Sequence, residues 1–237
     1  LALVDRLVGF TPPGLYNNCK SLGDDVVISG GTVLSRGKEI AYTLFKHDES
    51  AGGLAIVLPG MGYTAQAPLL HFATGIYFEA GYDVLHVNYK YSRDEMEALS
   101  GEEFEGDVRA VIDNVLSEST YHDFSLIGKS IGTKALSYLL KDERFGLARV
   151  VWLTPLLHSD HVFEVMSSSG HDGLVVIGDQ DPFYNEERYA ELKRKPHLEC
   201  HLVEGTEHSL QVEGNALRSI DVLKDVMVLV DGFCKKG

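Results

Sequence analysis

The sequence predicts an α/β fold: a mostly parallel sheet of about eight strands with helices on both faces. Two observations carry this. Short, continuous apolar runs of the kind found in strands buried on both faces recur at GLAIVLPG (53–60), ARVVWLTP (148–155) and GLVVIGD (173–179). Between them, apolar residues return at helical spacing, and alternation of the two patterns implies parallel strands joined by crossover helices. No linker, internal repeat or low-complexity tract divides the 237 residues, so 1–237 reads as a single domain.

The elements run in order. DDVVISGGTVLSR (24–36) and KEIAYTLFKH (38–47) are strand-like, with Gly37 placed for a hairpin turn. The run at 53–60 comes next, then a helix marked by Leu69, Ala73, Ile76 and Ala80. DVLHVNY (83–89) is a strand; Phe104, Val108, Val111, Ile112, Val115 and Leu116 trace one face of a helix. FSLIG leads into a helix carrying Ile131, Ala135, Leu136 and Leu139. Beyond the strand at 148–155, about 19 residues, 154–172, leave room for a short helix and loops, a minimal cap bordering a pocket. The strand 173–179, a helix over 185–195, the strand LECHLVEG (198–205) and a closing helix through Ala216, Ile220, Met227 and Val230 complete the chain.

Composition excludes several classes. Apolar residues are 44% and charged residues 24%, so a packed core is expected rather than disorder. The net charge of −14 repels phosphate backbones and argues against nucleic-acid binding. Cys19, Cys200 and Cys234 show no metal-type spacing, and the odd count fits a reducing, cytoplasmic setting rather than a disulfide framework. No run reaches the length of a membrane span, and LALVDRLVGF, interrupted by Asp5 and Arg6, does not read as a secretory signal. A monomer or homodimer acting on a small molecule is expected.

The stretch GKSIG places Ser130 where a strand pattern gives way to a helix pattern. A bare G-x-S-x-G is weak evidence in a chain with 24 glycines; the strand-to-helix context is what a nucleophile elbow requires. Such a turn holds the hydroxyl clear of its backbone at the carboxyl edge of the sheet, where ligands of open α/β sheets bind. A serine needs a base. Among ten histidines, His208 falls just after the strand 198–205 and so reaches that edge; His201 sits within the strand, His197 before it, and His86 on an interior face. The base needs a carboxylate, and GDQDP offers Asp179 and Asp181; Asp181 stands further out on the loop and is preferred, with Asp179 the second choice. Oxyanion donors are expected from the backbone N–H groups of Ile131 and of Met61 in LPGMGYTAQ, with Tyr63 an additional side-chain donor.

These parts stand in the order Ser…Asp…His and, with the strand–helix alternation from about residue 24 to 233, resemble the α/β-hydrolase superfamily, in particular small members without a large cap, such as dienelactone-hydrolase-like and carboxylesterase-like proteins. The resemblance implies a Ser130–Asp181–His208 triad, an oxyanion hole at Met61 and Ile131, and no cofactor. It departs from the pattern at Pro59-Gly60, where many relatives carry His-Gly. Lys129 precedes the nucleophile; it either lays its stem along the sheet edge and reaches solvent, the commoner outcome, or favours an anionic substrate group.

The expected activity is hydrolysis of an ester of a small acyl group through an acyl-serine, with Tyr63, Leu156, Leu157 and Phe183 lining the pocket. A thioesterase, peptidase or acyltransferase would use the same triad, and a non-catalytic binding protein the same fold. His158, Asp160, His161, His171 and Asp172 make a His-rich tract with no sharp metal motif, so no metal is assigned.

Overall fold

Strands β1 (Val26–Ser35) and β2 (Lys38–His47) form the expected ribbon, antiparallel from Val26 opposite His47 to Ser35 opposite Lys38. Both turn residues have positive φ, Arg36 at 48° and Gly37 at 81°, the mirror-image turn whose twist suits a two-residue hairpin. The computed structural model describes residues 26–236. The LALVDRLVGF opening, Cys19 and the first two residues of the predicted first strand lie outside that range.

The remaining elements alternate: β3 (Gly53–Leu58), α1 (Pro68–Glu79), β4 (Tyr82–Asn88), α2 (Arg93–Ala98), α3 (Gly101–Glu118), β5 (Asp123–Lys129), α4 (Ile131–Leu139), β6 (Arg149–Leu153), α5 (Asp160–Ser168), β7 (Gly173–Gly178), α6 (Glu186–Leu192), β8 (Leu198–Val203) and α7 (Ala216–Cys234). The short helix α2 was not anticipated. Its start, Ser92 with Glu95 three residues on, is a capping box, and Ser100 with Glu103 begins α3 in the same way.

The sheet order is β1-β2-β4-β3-β5-β6-β7-β8. β1–β2 and β2–β4 pair antiparallel and every other pair is parallel. β3 and β7 are buried along their whole length, which is why they read as unbroken apolar runs. One face is packed by α1 and α7 through Leu70, Ala73, Val226 and Val230; the other by α3 to α6 through Val108, Ile112, Leu136, Val162 and Leu192. The chain runs from β3 to β4 on one side and returns to β5 on the other, so a crevice opens beyond the carboxyl ends of β3 and β5. Leu58 lies opposite Gly128 at that edge, which brings the loop after β3 beside Ser130.

Candidate active site

Ser130 occupies a backbone conformation that few non-glycine residues adopt, φ 53° and ψ −120°, between β5 and α4. The strain is held from both sides. The Ser130 N–H donates to the Leu153 carbonyl (3.1 Å), and the Ser130 carbonyl accepts from the N–H (2.9 Å) and Oγ1 (2.6 Å) of Thr133. The second motif glycine has a separate reason: a Cβ on Gly132 would stand 2.1 Å from the Leu58 carbonyl oxygen, so only glycine lets α4 press against the end of β3.

Ser130 Oγ lies 2.8 Å from His208 Nε2, and His208 Nδ1 lies 2.8 Å from Asp181 Oδ2. With Asp181 ionised, the network assigns the proton to Nδ1, which donates to the carboxylate and leaves Nε2 to accept from the serine hydroxyl. Asp181 is 4% exposed, and its other oxygen accepts from the Phe183 N–H at 2.8 Å. Asp179 is turned elsewhere, accepting from the Gly205 N–H at 2.7 Å. Of the two sequence candidates, the geometry therefore pairs Asp181 with His208. The His208 loop is fixed by the Gln180 N–H donating to the Thr206 carbonyl (3.1 Å) and by Leu210, buried with φ 56°.

The loop after β3 forms a small closed turn in which Gly60 and Tyr63 exchange N–H···O bonds of 3.1 and 3.3 Å, leaving Met61 and Gly62 at the tip. A Cβ on Gly60 would meet the Ser130 Cβ at 3.3 Å, so this backbone runs directly beside the serine. The Tyr89 hydroxyl donates to the Pro59 carbonyl and anchors the turn, a contact nothing in the local sequence signals. Ile131 is the first residue of α4, so its N–H is one of the unpaired donors of a helix start.

Two sequence expectations are corrected, those for Leu157 and Lys129. The Tyr63 hydroxyl, expected as an additional oxyanion donor, accepts from the Leu69 N–H at 3.0 Å. α1 has no side-chain cap of its own, and the phenol supplies one. Burial also pushes that phenol's pKa up. Leu157 is fully buried in the core, while Leu156 is 8% exposed and Phe183 stands edge-on to the His208 ring at 4.9 Å. Lys129 does not reach solvent. Alternation along β5 puts it on the same face as Ile127, the face covered by α1 and α7, and it is 1% exposed. Its ammonium donates to Thr154 Oγ1 (3.2 Å) and to the His208 carbonyl (3.1 Å), and lies 4.4 Å from the centre of the Tyr63 ring. Burial lowers its pKa from 10.5 to about 8, against the opposing charges of Asp181 and Glu207.

The His-rich tract is dispersed. His158 stacks on Phe183 (4.7 Å), His161 stacks on Tyr138 (3.9 Å), Asp160 pairs with Arg188, and His171 donates to the Phe145 carbonyl. Among the described residues no group of three or more His, Cys, Asp or Glu is arranged to hold a metal. Nor is any described helix long and apolar enough to cross a membrane.

A family model described as an alpha/beta hydrolase domain matches residues 54–234. The chain belongs to the α/β hydrolase family. Solved structures of this fold are similar along nearly the whole chain. A protein of unknown function from Agrobacterium tumefaciens, described as a putative α/β hydrolase, superposes with a TM-score of 0.69 at 16% identity, over 88% of this chain and 95% of that one. Est1E from Butyrivibrio proteoclasticus gives 0.68 at 14%, over 88% and 98%. A cold-adapted esterase from an Arctic intertidal metagenomic library gives 0.65 at 13%, over 88% and 94%. At these identities the likeness is one of fold. No curated protein matches the chain.

Proposed function

We propose that this α/β hydrolase is a serine hydrolase that cleaves carboxylic esters through an acyl-serine. The observation that carries the reading is the continuous chain Ser130 Oγ–His208–Asp181, with both links at 2.8 Å, built on a strained elbow. His208 Nε2 takes the proton as Ser130 Oγ bonds to the ester carbonyl carbon. The Met61 and Ile131 N–H groups receive the oxyanion. Collapse breaks the bond to the alcohol oxygen, which leaves with the proton from His208. Water then loses a proton to His208 and attacks the acyl carbon; the carbon–Oγ bond breaks, the acid departs and Ser130 regains its proton. Asp181 holds the tautomer and stabilises the imidazolium throughout.

Phe183, edge-on to the His208 ring, borders the side of the site where the alcohol leaves. Residues 154–172 add only α5, whose Val162 and Met166 are buried in the core, which supports a single domain with a minimal cap. Cys200 and Cys234 are unpaired, in keeping with a reducing, cytoplasmic setting. The test is a panel of chromogenic esters and thioesters with wild type and Ser130→Ala. Loss of about 10⁴-fold or more in kcat with the fold intact is expected; a variant retaining a tenth of the turnover contradicts the reading.

A further inference from the structure

A cavity of about 690 Å³ opens beside the oxyanion turn, on the flank of the sheet away from His208. It lies between the β1–β2 ribbon, the turn after β3 and the end of β4. Its walls include Ala41, Tyr42, Met61, Tyr89, Tyr91 and Ile131. The volume falls within the range of about 300–1,000 Å³ typical of clefts that enclose a small organic ligand.

The polar ends of the three tyrosines and the amide of Asn88 are committed elsewhere. The Tyr89 hydroxyl donates to the Pro59 carbonyl and that of Tyr91 to Asp107 Oδ2, while the Tyr42 hydroxyl accepts from Asn114 at 3.3 Å. Asn88 donates its amide to Thr43 Oγ1 at 3.1 Å. Ser29, Thr32, Thr64, Gln66 and Lys90 also border the cavity, but most of the surface left for a guest is ring and aliphatic carbon. Met61 and Ile131 belong both to the cavity and to the oxyanion donors, so a group filling it is directly attached to, or next to, the reacting carbonyl.

Stereochemistry then decides which half of an ester it holds. The leaving oxygen must come within reach of His208 Nε2, because it takes the proton from there. No residue of the His208 loop lines the cavity. With the carbonyl oxygen between Met61 and Ile131 and the alcohol oxygen at His208, the third substituent of the carbon, the acyl group, points to the cavity. We propose that this cavity is the acyl-binding site and that the substrate class is esters of bulky apolar carboxylic acids of about the size of an arylalkanoyl group. This rests on the acyl-serine reading above. It also changes the acyl size expected from the sequence: the short 154–172 segment offers little surface to a long acyl chain, but that segment does not form this cavity.

Each buried methylene equivalent adds about fourfold to transition-state binding. Nitrophenyl phenylacetate should therefore exceed nitrophenyl acetate in kcat/KM by at least about tenfold. Ala41→Phe and Thr64→Phe, each filling one wall, should lower that ratio by about tenfold or more, read only in the fraction that keeps the wild-type circular dichroism and melting profile. The wild-type ratio alone carries the test if either variant fails to fold. Ser130-dependent turnover with a ratio near or below one overturns the cavity assignment and leaves the acyl-serine reading standing. Turnover of both esters that survives Ser130→Ala overturns the acyl-serine reading itself, and the proposal with it.

Discussion

Replacing Lys129 by Met removes a buried ammonium while keeping the length of the side chain. Its consequences can be worked from the contacts. In the folded protein the Lys129 pKa lies near 8, depressed chiefly by burial, while the unfolded chain returns it to about 10.4. The groups facing it are Asp181, Glu207, the Tyr63 ring, Thr154 Oγ1 and the His208 carbonyl. Because the folded pKa is depressed, the unfolded chain binds more protons between pH 8 and about 10.4, and wild-type stability gains from this group as pH rises through that window. The gain amounts to about 3 kcal/mol. Below pH 8 the full penalty of the buried charge is present. In Lys129→Met the penalty is gone, but Thr154 Oγ1 and the His208 carbonyl each lose a donor, at about 1–3 kcal/mol apiece. The two effects are of similar size, so the variant should match wild-type stability within about 1–2 kcal/mol at pH 7. It should fall behind by about 3 kcal/mol more at pH 10.5. Activity should behave differently. The His208 backbone loses a tether, and displacements of about 1 Å at a reacting group cost up to about 100-fold, so kcat should fall by about tenfold or more at pH 7. The assay is urea denaturation at pH 7.5, 9 and 10.5 for both proteins, with ester turnover at the same points. Parallel stability curves across that range, or a variant as active as wild type at every pH, would refute the reasoning.

Asp181→Asn should lower kcat by about 10⁴-fold, whereas Asp179→Asn, whose carboxylate accepts from the Gly205 N–H rather than pairing with His208, should keep most of it; steady-state kinetics on both variants decide this. Gly132→Ala forces a Cβ against the Leu58 carbonyl oxygen and should destabilise by about 1–3 kcal/mol or more, read as a lower denaturation midpoint. His86 is buried and bonded to Thr74 Oγ1, and burial lowers its pKa from 6.5 to about 3. With the folded pKa depressed, stability is lost as pH falls from 6.5 toward 3, by up to about 4–5 kcal/mol, and His86→Phe should flatten that acid limb in denaturation curves taken between pH 7 and 4.

The parts of the molecule written as period and punctuation were legible in the sequence. β3 and β7 are buried on both faces and so read as unbroken apolar runs, and the hairpin announced itself through Gly37. That Ser130, Asp181 and His208 come together was legible because each follows a strand, and the ends of parallel strands share one edge. What stayed hidden depends on contacts between distant segments. Lys129 was read as an ordinary long cation, although the alternation of β5 already placed it with Ile127 on a covered face. The bond from the Leu69 N–H to the Tyr63 hydroxyl stayed hidden because nothing in that neighbourhood says that α1 lacks a cap. The large cavity is formed by the β1–β2 ribbon meeting the turn after β3, a junction of segments that neither composition nor spacing brings together.

The central claim is that Ser130 is the nucleophile, and a fluorophosphonate probe with intact-mass and peptide analysis addresses it most directly. The reaction replaces the serine proton by phosphorus and expels fluoride, so it requires an activated hydroxyl rather than a mere binding surface. One adduct per chain, mapped to Ser130, is expected. Ser130→Ala should give no adduct, and His208→Ala, where the base is missing, much slower labelling. An unlabelled wild-type protein that still hydrolyses esters, or an adduct on another residue with the same kinetics in Ser130→Ala, would contradict it.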